Sequence, residues 1–102
     1  MHKKNHKSAA HYGKNWQRYR PGEDGPVVES ATERIQAPPG LLRVCAYHID
    51  FDERPTLFQD VRHADEAAFI CRRFRAATVG FNVDYAEAFD EKGNLIEHNR
   101  PY

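Results

Sequence analysis

The sequence predicts an α+β fold: a small antiparallel sheet in the order strand, strand, helix, strand, strand, with one amphipathic helix on one face, preceded by a flexible basic N-terminal arm. Three observations predict it. Residues 41–102 contain four stretches in which apolar and polar positions alternate, the period of a strand. Between the second and third of these, Ala67, Ile70, Cys71, Phe74 and Ala77 recur at spacings of three and four, the period of a helix. Upstream of Pro38, Pro39 and Gly40 both periods are lost. Residues 1–40 are therefore expected to form an arm and a Pro/Gly linker, and residues 41–102 a compact domain.

Residues 1–26 hold no sustained apolar period and end in a cluster of turn formers, Pro21, Gly22, Glu23, Asp24, Gly25 and Pro26, so disorder is expected there. Val27 to Ala37 admits two readings. Ser30 and Glu33 fit a capping box, yet Pro38 stops any helix within two turns, which leaves either a short helical turn or an added strand. From Leu41 to Asp52 the chain alternates, with Leu41, Cys45, Tyr47, Ile49 and Phe51 on one face and Leu42, Val44, Ala46, His48, Asp50 and Asp52 on the other. Arg43 falls on the first face, where its stem can lie on apolar surface and its head reach water.

Asp52, Glu53, Arg54 and Pro55 supply turn chemistry, and Thr56 to Val61 follows as a second strand, antiparallel to the first because the link is short. The helix is expected over Ala64 to Thr78. Asp65 and Glu66 stand in its first turn, Arg72, Arg73 and Arg75 toward its end, and Gly80 as its stop, which complements the helix dipole at both ends. Phe81 to Phe89 alternates again. Asp90, Glu91, Lys92 and Gly93 form a turn with Gly where positive φ is needed, and Asn94 to His98 returns as the fourth strand.

A domain of 62 residues lies near the lower limit for an unaided core, so docking of the arm or self-association would stabilise it. With the helix on the side of Cys45, Tyr47, Ile49, Val83 and Tyr85, the other side would carry Leu42, Val44, Ala46, Phe58, Ala86 and Ala88 as a flat apolar face. Val44, Ala46, Phe58, Ala86 and Ala88 are accordingly expected to be an interaction surface, covered by Val27, Val28 and Ile35 of the same chain, by a second copy in a homodimer, or by a foreign protein partner.

The net charge of zero conceals an asymmetry. Residues 1–20 carry six Lys/Arg and no acid, residues 21–40 carry four acids against Arg34, and residues 41–102 carry eight bases against eleven acids. Within the arm Lys3, Lys4, Lys7, Lys14, Arg18 and Arg20 are interleaved with Tyr12, Trp16 and Tyr19, so cations that neutralise phosphate sit among rings that stack on unpaired bases. These nine residues are the expected nucleic-acid contacts.

Cys45 and Cys71 form no Cys-x-x-Cys pair and are read as reduced core residues. His48, Asp50 and Asp52 could face a divalent cation, but acids gather at strand ends because they are solvated there, and no metal or cofactor is expected. His48, His63 and His98, with Glu87 or Glu97 and with Arg72 or Arg73, are the residue types of a small metal-free nuclease without completing its motif. The chain has no Gly-rich phosphate loop, no apolar run that could cross a membrane and no apolar stretch after its basic start, so a cytoplasmic protein is expected. The reading that follows is a small non-enzymatic binding module that associates with nucleic acid through its arm. The alternatives are a protein-interaction or inhibitor protein, of the size used by mobile genetic elements, acting through its sheet, and a small hydrolase.

Overall fold

The computed structural model describes residues 8–18, 35–51 and 54–99. The class is α+β, with one antiparallel five-stranded sheet. The elements in chain order are α1 (Ala9–Tyr12), β1 (Gln17–Arg18), β2 (Leu42–Tyr47), a 3-10 turn (Ile49–Phe51), β3 (Leu57–Val61), α2 (Ala64–Arg72), α3 (Phe74–Ala77), β4 (Tyr85–Phe89) and β5 (Leu95–His98). Across the sheet the strands run β1-β3-β2-β4-β5. Among the described residues no helix is long and apolar enough to cross a membrane.

Four strands and the helix stand where the alternation and the three–four spacing put them. The fifth strand, β1, comes from the N-terminal segment: Gln17 pairs with Phe58 and Arg18 with Leu57. Residues 8–18, counted with the flexible arm on sequence grounds, thus form a helical turn and an edge strand on the domain. Lys3, Lys4, Lys7, Tyr19 and Arg20, and the covering residues Val27 and Val28, lie outside the described residues.

The strands are shorter than their patterns. β2 ends at Tyr47, because the next backbone donors turn to side chains: Ile49 N–H donates to Asp84 Oδ2 at 2.7 Å and Asp50 N–H to His48 Nδ1 at 3.1 Å. Such local acceptors compete with the strand ladder. The helix breaks at Arg73, whose φ of −105° and ψ of 33° leave the helical region, and resumes for one turn. The helix ends at Ala77 with Thr78 as its cap, Gly80, at φ +91°, turns the chain two residues further on, and Gly93, at φ +82°, closes the β4–β5 turn, where Asp90 Oδ1 accepts from the N–H groups of Lys92 and Asn94.

The two faces of the sheet are the reverse of the expectation. Ala67, Ile70, Cys71, Phe74 and Ala77 do form the buried stripe, but they pack on Val44, Ala46, Ala86 and Ala88, all four fully buried. The face expected to be open is the one under the helix. Its alanines are the reason: a flat surface lets the bulky Ile70 and Phe74 approach closely. Phe58 is not part of that face, since it pairs directly with Cys45 and shares the opposite side with it. There Cys45, Tyr47, Tyr85 and Phe89 form a second cluster, with Ile35 and Phe58 packed against it. Ile35 therefore covers the face away from the helix, as one of the expected covers, but on the aromatic side.

Arg43 also departs from expectation. Its guanidinium, though partly exposed, forks onto Asp60, Nε to Oδ1 at 2.8 Å and Nη2 to Oδ2 at 3.1 Å, and lies 4.2 Å over the Phe58 ring. Both cysteines are free and buried, Cys45 on the aromatic face and Cys71 on the helix.

Because Ala86 lies beneath the helix, Ala86→Arg should place an unpaired charge in the core, at a cost of several kcal/mol against a total stability of about 5 kcal/mol or more. Thermal melting followed by circular dichroism should show no cooperative native transition. An unchanged melting temperature would put Ala86 on an open face and reverse the assignment of the two sides.

Candidate nucleic-acid interface

The interface begins with how residues 8–18 are held. Ser8 caps α1 through Oγ, which accepts from His11 N–H at 3.3 Å, and this directs the Tyr12 side chain into the core, where it is 5% exposed. Tyr12 is fixed at both its ends. Its hydroxyl donates to Glu66 Oε2 at 3.0 Å, and its carbonyl accepts from the buried Gln59 Nε2 at 3.0 Å. Glu66 in turn closes the start of α2, its Oε1 accepting from the N–H groups of Arg62 and His63 at 3.1 Å each.

The segment is held again at the far end of the helix. The indole of Trp16 donates to Ala77 O at 2.7 Å, taking up one of the carbonyls that a helix C-terminus leaves unpaired. Gly13 lies so close that a Cβ on it would meet the same carbonyl oxygen at 2.7 Å, which is why a side chain is missing at this position. Arg18 reaches over the Phe81 ring, 5.6 Å from its centroid.

These contacts bring two acid-free stretches together. Residues 8–18 carry Lys14 and Arg18, residues 67–83 carry Arg72, Arg73 and Arg75, and neither contains Asp or Glu. All five cations are exposed. Lys14 adjoins Gly13, whose backbone lies against Ala77, and Arg75 is two residues before Ala77, so both stretches bring exposed cations to the end of the helix. Glu97, 3.5 Å from Arg72, marks one border, and Glu66 with Asp65 at the helix start marks another, about 12 Å along the helix from Arg73.

Of the nine expected nucleic-acid contacts, Tyr12, Lys14, Trp16 and Arg18 are described. Lys14 and Arg18 are exposed, whereas Tyr12 is core and Trp16 is half-buried against it. Of the rings expected to stack on bases, the two that are described, Tyr12 and Trp16, are thus packed into the fold. Arg73 and Arg75 join the site from the helix, a partnership between stretches some 60 residues apart that local composition does not reveal.

The residues of the other candidate clusters make local contacts within the fold. His48 Nδ1 accepts from Asp50 N–H and lies 4.0 Å from carboxylate oxygens of both Asp50 and Asp84. Asp52 lies outside the described residues, and among the described residues no group of three His, Cys, Asp or Glu is placed to hold a metal ion. His63 is the N-cap of α2. Glu87 stands in register between Cys45 and His98 on the aromatic face and accepts from the Tyr47 hydroxyl, while Tyr47 and Tyr85 stack at 4.9 Å. Burial first, then Cys45, Glu87 and Tyr85, push the Tyr47 phenol well above its ordinary value. Burial also pushes the Cys71 thiol up to about 12, which leaves it a poor nucleophile.

Burial opposes ionisation of Glu66, but the hydrogen bonds from Tyr12, Arg62 and His63 outweigh it and hold the carboxyl below its usual 4.5. Burial, and then the same hydrogen bond and charge, push the Tyr12 phenol up to about 12. The depressed acid stabilises the fold above pH 4.5 and ceases to do so as pH falls through its lowered value. The raised phenol stabilises it below pH 10 and ceases to do so as pH rises toward 12. Melting temperature against pH should therefore fall at both extremes, with Glu66→Gln flattening the acid limb and Tyr12→Phe the alkaline limb. Acid limbs that run parallel in wild type and Glu66→Gln would remove this contact from the account.

No protein-family model matches the chain, no curated protein matches it, and no solved structure matches it.

Proposed function

We propose that this chain is a small non-enzymatic binding module that associates with nucleic acid through the cations of its N-terminal segment and of the second half of its helix. One observation carries the reading. Docking of residues 8–18 on Ala77 and Phe81 brings the segment that carries Lys14 and Arg18 to the end of the helix whose second half carries the exposed Arg73 and Arg75, with no acid in either contributing stretch. Cations whose backbone is already ordered incur no chain-ordering cost when they meet phosphates, and each phosphate neutralised releases condensed counterions. The lysines further upstream, Lys3, Lys4 and Lys7, extend the same charge along the chain.

The reading as a protein-interaction or inhibitor protein loses the surface it was built on, because Val44, Ala46, Ala86 and Ala88 lie beneath the helix. No observation on the aromatic face favours a particular partner.

Removing residues 1–38 is a poor test, since it takes away β1, Tyr12 and Trp16 and with them part of the core. Substitutions of exposed residues are better. Fluorescence anisotropy of the full chain with labelled oligonucleotides should show binding at low salt, with log K falling against log salt at a slope of roughly −3 to −4 for about four phosphate contacts. Lys14→Glu combined with Arg75→Glu should weaken it about tenfold, about 1.4 kcal/mol, and flatten that slope without altering the far-ultraviolet circular dichroism. No binding by the wild-type chain, or an affinity indifferent to this pair of changes, would refute the proposal.

A further inference from the structure

We infer that the nucleic acid this surface takes is a duplex held by its phosphates, rather than a single strand held by base stacking. The inference rests on the nucleic-acid reading above and narrows it. Binding of single strands draws on two sources, charge and the stacking of bases on open aromatic faces, and stacking multiplies affinity by about fivefold to a hundredfold per base. The described rings beside the cations are already engaged. Tyr12 is buried, with its edge contacts to Phe69 at 6.1 Å and to His11 at 5.5 Å and its hydroxyl on Glu66. Trp16 packs on the core with its indole N–H given to Ala77 O. Phe74 is 2% exposed, and Phe81 packs on the core beneath Arg18.

What this surface offers outward is charge at fixed spacing. Arg72 stands on α2, Arg73 at the break after it, Arg75 on α3 and Arg18 on β1, with Lys14 between Gly13 and the anchored Trp16, so the backbone sets the separations of the points from which these side chains extend. A fixed array suits a regular lattice of phosphates, which a duplex presents and a single strand does not. Charge density favours the same choice. Duplex DNA carries a charge about every 1.7 Å along its axis, and each contact contributes about 0.9 to the salt slope against about 0.7 for a single strand. With the described rings beside the cations engaged in the fold, the electrostatic term decides.

The test uses the full chain, one labelled 20-base-pair DNA duplex, each of its two strands alone, and an RNA duplex of the same sequence, all at one salt concentration. The duplexes should bind about tenfold tighter than either strand, with the steeper salt slope, and Trp16 emission should be unchanged at saturation. The RNA duplex distinguishes the two sources of the same phosphate chemistry, and preference for either duplex over the strands supports the inference. Single strands binding as tightly as duplex, with quenching of Trp16, would overturn it while leaving the nucleic-acid reading intact. Equal strand and duplex affinity without quenching, lost in Tyr19→Ala, would overturn it too and place the stacking on Tyr19. Binding of none of the four probes would overturn both.

Discussion

The hydrogen-bonded wedge that Tyr12 makes between the sheet and the helix is the interaction on which the helix side of this molecule depends. Its ring joins the core beside Phe69, its hydroxyl ends on the carboxylate that caps α2, and its carbonyl takes the amide of a fully buried Gln59. Each partner would cost more alone than together. A buried glutamine without an acceptor for its amide, or a helix start without its cap, forfeits about 1 kcal/mol or more. Gln59 Oε1 has no hydrogen-bond partner among the described residues, so the amide is turned toward Tyr12 at the expense of its own oxygen. This is the behaviour of a contact that dictates its surroundings.

The wedge also answers a problem of size. A 62-residue α+β unit buries too small a fraction of its surface to be comfortable alone, and residues 8–18 add a tyrosine, a half-buried tryptophan and an edge strand to it. They do so without covering the cations around them. Lys14 and Arg18 remain exposed because the tyrosine and tryptophan between which they alternate face inward, so one stretch of sequence supplies apolar anchors to the fold and charge to its surface.

Much of this architecture was legible in the sequence, and the parts that were not share a cause. The stripe from Ala67 to Ala77 and the turns at Gly80 and Gly93 are each decided within a few residues, and local periodicity and φ requirements identify them. Strand ends were overrun where a side chain from elsewhere intervened, as Asp84 does at Ile49, 35 residues away. Alternation groups Val44 with Ala46 and Cys45 with Tyr47 correctly, but it is symmetric and does not say which group meets the helix. Phe58 joined the wrong group because its face depends on pairing with Cys45, a register that no single strand encodes. Composition marks the basic aromatic arm as a nucleic-acid segment. Lys14 and Arg18, its described cations, are exposed, while Tyr12 and Trp16 find partners on the helix that composition does not show.

The central claim is that residues 8–18 belong to the fold and hold the basic surface in place, and Trp16, the chain's one tryptophan, reports on it directly. Its fluorescence during urea unfolding should start at the shorter emission wavelengths of a packed indole and shift to the red in one transition, coincident with loss of the far-ultraviolet circular dichroism signal. Emission already at the solvent-exposed position in native buffer, or a red shift complete before the sheet and helix unfold, would show the segment to be detached and would contradict the account.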